Sequence, residues 1–146
     1  MTQQTIVIVN TGCANISSVK FALERLGVSV TVSDDPAVIK GADKVFLPGV
    51  GAAGAAMTSI TAKQLIPTLQ GLTQPVLGVC LGMQLMVEQS DEATTGTIDC
   101  LKLLPGHVKR MQAGELRLPH MGWNTISPVG DSPLFKGLGE GTYFYF

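Results

Sequence analysis

Apolar positions along this chain follow two alternating rhythms. Ile6-Val7-Ile8-Val9 is a continuous β-branched run, the mark of a strand covered on both faces. After the turn Thr11-Gly12-Cys13-Ala14-Asn15, the residues Ile16, Val19, Leu23 and Leu26 recur at helical spacing and stop at Gly27. Val28, Val30 and Val32 alternate as a second strand, and Pro36 predicts the first turn of a short helix ending near Gly41. Val45-Phe46-Leu47 predicts a third strand, interrupted by Pro48-Gly49-Val50-Gly51. A helical stretch over 55–69 reaches Gly71, Val76-Leu77-Gly78-Val79 predicts a fourth buried strand, and 81–88 predicts the next helix.

Strands alternating with helices predict an α/β fold: three layers, with a mostly parallel, flavodoxin-like central sheet and helices on both faces. After Ser90 the character changes. Segments over 101–104, 107–111 and 124–127, punctuated by Pro and Gly, predict short strands, and Tyr143-Phe144-Tyr145-Phe146 an aromatic one. With no repeat or low-complexity stretch, residues 1–146 are expected to form a single domain.

Composition narrows the function classes. The chain is 45% hydrophobic and 14% charged, against a usual charged share of about 25%. Its net charge is -1 without a basic stripe, which argues against a nucleic-acid partner. No apolar run is long enough for a membrane span or a signal-peptide core. Three cysteines, Cys13, Cys80 and Cys100, are an odd number without a C-x-x-C pair. That pattern disfavours a disulfide framework or a zinc site and points to a reducing cytoplasm.

Cys80 has a distinctive setting. Gly78-Val79-Cys80-Leu81-Gly82, between a predicted strand and a predicted helix, is the cysteine counterpart of the G-x-S-x-G nucleophile elbow. Such a turn holds the nucleophile in a strained backbone conformation at a helix N-terminus, which favours a thiolate. The Leu81 N–H is expected to face the same place as the sulfur, ready for an oxyanion. The alternative is that Cys80 is a small buried hydrophobe, the ordinary state of Cys13 and Cys100.

Gly49-Val50-Gly51-Ala52-Ala53-Gly54 spells G-x-G-x-x-G and suggests a dinucleotide site. It follows the third strand rather than the first, however, and no acidic residue stands between Asp43 and Glu88 to hold a ribose. Its competing role is a glycine loop that brings backbone donors, Gly51 among them, to an oxygen facing Leu81. A non-catalytic, flavodoxin-like phosphate- or nucleotide-binding module stays open as the alternative function.

Four motifs in order resemble a known family: Pro48-Gly49-Val50-Gly51, Gly78-Val79-Cys80-Leu81-Gly82-Met83-Gln84, Pro119-His120-Met121-Gly122-Trp123-Asn124 and the closing Tyr143-Phe144-Tyr145-Phe146. Together they are similar to the glutaminase subunit of imidazole glycerol phosphate synthase, a class I (triad) glutamine amidotransferase. The resemblance implies that Cys80 attacks the side-chain amide of L-glutamine to give a thioester and ammonia. It implies an oxyanion hole from Val50, Gly51 and Leu81, and glutamine binding by Gly49, Gln84 and Glu92. It also implies a heterodimer with a cyclase subunit that receives the ammonia, through an interface carrying His120, Met121, Trp123 and Tyr145. No metal or other cofactor is implied.

The family's activating His and Glu belong to a His-Pro-Glu-type motif beyond the aromatic strand, and its Val-His-Ser/Thr segment also lies there. Neither is among these residues. His107 and His120 match neither catalytic position. The expectation is therefore an incomplete domain lacking its last strands and closing helix, inactive as a glutaminase and marginal in solution because an open sheet edge invites aggregation.

Overall fold

All four residues of Ile6–Val9 are buried, and they form the first strand, β1. The computed structural model describes residues 4–93 and 96–146 in two compact units, one running to Arg110 and the other from Met111 to Phe146.

In the first unit the chain alternates as its apolar pattern predicts. β1 leads to α1 (Ile16–Arg25), capped by the Asn15 side chain, which accepts from the Ser18 N–H. β2 (Val30–Ser33) leads to α2 (Pro36–Lys40), capped by Asp35 with Pro36 in its first turn. β3 (Lys44–Gly49) precedes α3 (Ala53–Ala62) and α4 (Ile66–Gln70), and β4 (Val76–Cys80) runs directly into α5 (Leu81–Gln84).

The four strands form one parallel sheet in the order β2-β1-β3-β4, with Ile8 level with both Val32 and Phe46, and Phe46 level with Leu77. Alternation along each strand assigns the two faces. Val7, Val9, Val45 and Leu47 pack with Ile39, Met57, Ile60, Leu65, Leu69, Leu81 and Leu85. Ile6 and Ile8 pack on the other side with Leu23 of α1. Helices therefore cover both faces, as expected for a three-layer α/β fold.

Several details depart from the sequence reading. The predicted 55–69 helix is two helices. Gln64 takes a left-handed conformation (φ 56), and the Leu65 N–H reaches back to the Ile60 carbonyl, closing α3. Pro67 in the next turn has no N–H with which to continue the ladder. Second, β3 continues through Pro48 to Gly49 rather than stopping at Leu47. Third, β4 is an edge strand with Leu77 45% exposed, not a fully buried one. An apolar run does not reveal how many neighbours its strand has.

The predicted 81–88 helix also ends early, at Gln84. The Glu88 N–H donates to the Gly106 carbonyl instead of back to Gln84, and the carbonyls of Leu85, Met86 and Val87 accept from the N–H groups of Leu101, Leu103 and Lys102. The 101–104 segment is consequently a backbone clamp on this stretch and not a strand. Beside it, β5 (Gln89–Ser90) pairs antiparallel with β6 (Ile98–Asp99) and parallel with β7 (His107–Val108).

In the second unit, β8 (Trp123–Thr125) and β9 (Tyr143–Tyr145) pair antiparallel, Trp123 opposite Tyr145. Gly122 and Phe146 exchange two backbone bonds that extend the pair. Among the described residues, no helix is long and apolar enough to cross a membrane.

Exposed carboxylates tie the first unit's elements together, and each sits below its ordinary range. The Thr5 N–H and hydroxyl hold Asp43, the Lys63 ammonium holds Asp34, the Gln89 amide holds Asp99 and the His107 ring holds Asp91. A lowered folded-state pKa adds stability that is present above the unfolded value, about 3.9, and lost as pH falls through the folded one. The urea midpoint is therefore expected to hold near neutrality and to fall once the pH drops below about 4. Asp43→Asn should flatten that fall, which urea titrations across the acid range will read.

Candidate active site

Cys80 is the last residue of β4 and the residue that caps α5, with φ 54 and ψ −121. It is one of only three non-glycine residues with positive φ among those described. Such a backbone is costly for a side chain with a Cβ and is characteristic of strained functional turns. The turn is tightly enclosed. A Cβ on Gly78 would lie 2.5 Å from the Met83 Cα, and one on Gly82 would overlap the Leu47 carbonyl oxygen. β3 and α5 approach so closely here that the G-x-C-x-G spacing is a packing requirement. Leu81 and Leu85, both buried, anchor the turn in the core.

This arrangement presents the Cys80 side chain outward. Cys80 is exposed, Cys13 is half-buried with its thiol facing the Ala55 carbonyl, and Cys100 is buried. Burial, with Asp99 nearby, pushes the Cys100 thiol up from its ordinary pKa. Of the three cysteines, Cys80 is thus the most exposed. The helix behind it is a single turn rather than the predicted two, so its contribution is local. Leu81 heads α5, and its N–H is one of the donors that a first turn leaves without an intrahelical acceptor.

The glycine loop leaves the end of β3, the strand beside this turn, with Gly49 level with Cys80. Gly49 is buried and Gly51 is exposed, at φ +85. The Val50 N–H donates to the Cys13 carbonyl at 3.0 Å. In this conformation Val50 is therefore not offering its N–H to a ligand. The sequence did not reveal that contact, because it joins two loops far apart in the chain.

Gln84 and Glu92 come together. With Asp91, Val108, Lys109 and Arg110 they line one pocket of about 340 Å³, one turn of helix after Cys80. Asp91 is occupied there, accepting from the His107 ring at 2.7 Å and the Thr97 hydroxyl at 3.0 Å. Among the described residues Glu92 forms no ion pair, and its N–H donates to the buried Ser90 hydroxyl. The part played by Lys109 and Arg110 was not legible in the sequence, since it depends on the β5–β7 pairing.

His107 pairs with Asp91, and His120 with Asn124 at 3.0 Å. In the second unit Trp123 is 66% exposed, and its ring meets Tyr145 edge-on at 5.5 Å. Met121 is also exposed, and the His120 ring stands edge-on to Phe146. Such exposed aromatics on a short strand pair are typical of interface anchors. No cluster of metal-ligating side chains occurs among the described residues.

Comparison with known proteins agrees with this geometry. Residues 7–145 match the family model of class-I glutamine amidotransferases. The imidazole glycerol phosphate synthase subunit HisH 1 of Vibrio vulnificus strain YJ016 is 54% identical over 149 residues, covering 100% of this chain and 73% of that protein. Subunit HisH of Colwellia psychrerythraea is 54% identical over 158 residues, covering 100% of this chain and 70% of that one. For Pasteurella multocida HisH the identity is 50%, covering 98% and 71%. The chain belongs to the class-I glutamine amidotransferase family, among the HisH subunits of imidazole glycerol phosphate synthase.

Proposed function

We propose that this chain carries the glutamine-reading and nucleophilic part of a glutaminase that feeds ammonia to a cyclase subunit in histidine biosynthesis, in the cytoplasm. The observation that carries the proposal is the exposed Cys80 at a strained strand-to-helix turn, one helical turn from the pocket of Gln84 and Glu92. The Cys80 sulfur attacks the side-chain carbonyl carbon of L-glutamine, and the oxygen gains charge. The C–N bond then breaks, the nitrogen takes a proton and leaves as ammonia, and the thioester is hydrolysed by water to glutamate.

Leu81 and Gly51 supply oxyanion donors, and Gly49, whose missing Cβ lets α5 approach β3, contributes to the glutamine site. Val50 joins the hole only when its N–H leaves the Cys13 carbonyl, so the conformation described has an incomplete hole. Gln84 and Glu92 hold the amino-acid end, Glu92 facing the α-ammonium. Trp123, Tyr145, His120 and Met121 form the face that meets the cyclase, which combines the ammonia with its nucleotide substrate to yield imidazole glycerol phosphate and the aminoimidazole carboxamide ribotide. The family match runs through both compact units, which supports reading them as parts of one domain.

A cysteine nucleophile needs a partner to move protons, and the two histidines of this sequence are engaged with Asp91 and Asn124. These 146 residues are therefore expected to release ammonia from glutamine only at background rate, even with the cyclase subunit present. A coupled ammonia assay reads this directly. Turnover comparable to that of the HisH relatives would mean that His107 or His120 serves as the base after all.

A further inference from the structure

We propose that Arg110 binds the α-carboxylate of the amino-acid ligand whose ammonium faces Glu92, an assignment that rests on the glutaminase reading above. β5 and β7 run parallel with Ser90 level with Val108, and the Asp91 N–H continues the pairing to the Val108 carbonyl at 2.9 Å. Two residues further along each chain, this register delivers Glu92 and Arg110 to the same pocket.

The charge arrangement suits a zwitterion. Asp91, the pocket's other acid, is already held by His107 and Thr97, which leaves Glu92 as its free carboxylate. Among the described residues Arg110 forms no ion pair within 4.0 Å and no side-chain hydrogen bond, and Glu92 forms no ion pair. The pocket thus holds one carboxylate without an ion pair and two such cations, Lys109 and Arg110, that do not neutralise it. An α-amino acid brings the complementary pair. Lys109 adds positive potential, but a planar guanidinium can take both carboxylate oxygens at once.

Reach is consistent as well. Gln84 stands four residues after Cys80, about 6 Å along the helix axis, a distance on the scale of a glutamine side chain. A ligand with its amide at Cys80 would place its amino-acid end in this pocket.

The test follows Cys80 labelling by a glutamine-shaped L-chloroketone, its D-enantiomer, its L-α-carboxamide and iodoacetamide, with mass-spectrometric rates. In the unaltered chain the L-chloroketone should outpace the D-form. Arg110→Gln should slow the L-chloroketone about 10- to 100-fold, the range for losing a charged hydrogen-bonded contact. It should leave the carboxamide and iodoacetamide rates unchanged, and Arg110→Lys should fall between. An undiminished L-preference in Arg110→Gln overturns the Arg110 assignment alone. An equal slowing of the carboxamide and the carboxylate does the same. Absence of any L-preference in the unaltered chain overturns the glutaminase reading, and this assignment with it.

Discussion

Gly82→Ala is expected to destabilise the first unit by more than about 3 kcal/mol, the upper end of the cost of overpacking. The methyl group would overlap the Leu47 carbonyl oxygen and approach the Pro48 carbonyl carbon at 2.9 Å. Both are backbone atoms of β3, a central strand bonded to β1 on one side and β4 on the other. A flexible side chain could swing aside, but a strand in mid-sheet cannot. Gly139→Ala is the matched control, since nothing lies within 4 Å of its added Cβ and its φ is ordinary. That change should stay within about 0.5 kcal/mol. Urea unfolding midpoints of the two variants compare them directly, and equal midpoints would show that the elbow is looser than described.

Cys80→Gly should do two things at once. It removes the thiol, so modification at that site disappears. It also relieves a side chain held at φ 54, a conformation costing about 1–3 kcal/mol that glycine adopts freely. Part of that relief is offset by the extra freedom glycine gives the unfolded chain, so the net expected gain is about 1 kcal/mol. A stabilised but unreactive variant would mark Cys80 as a residue kept for chemistry at the expense of stability. A destabilised one would mean that the sulfur is packed for structure.

Much of this was legible in the sequence because it is periodic. The β-branched run at Ile6–Val9 and the alternation at Val28, Val30 and Val32 specify strands. The spacing of Ile16, Val19 and Leu23 specifies a helix, and the glycines around Cys80 specify the turn. What escaped is non-local. The helix after Cys80 stops short because the Glu88 N–H turns to the distant Gly106 carbonyl and residues 101–103 clamp the stretch that follows, and no local propensity encodes that competition. Gln64 splits a predicted helix through a left-handed backbone that its side chain does not announce. The Val50 N–H is taken by the Cys13 carbonyl, and Arg110 reaches the Gln84 pocket through a two-residue strand pairing. Such short pairings carry too few residues for a pattern to appear.

These observations change what the nucleophile turn means. Its shape follows from close packing between β3 and α5, so it forms whether or not a ligand is present. On the function proposed, one of its oxyanion donors, the Val50 N–H, sits on a loop held in a different hydrogen bond. In the proposed mechanism the fixed part of the site is therefore the sulfur and the Gln84–Glu92 pocket, and the adjustable part is Pro48–Gly51.

The most direct measurement is peptide-resolved labelling with the glutamine-shaped L-chloroketone, with and without excess L-glutamine. The result expected is modification at Cys80 alone, suppressed by L-glutamine, with Cys13 and Cys100 untouched. Modification spread over Cys13 and Cys80, and indifferent to L-glutamine, would contradict the account.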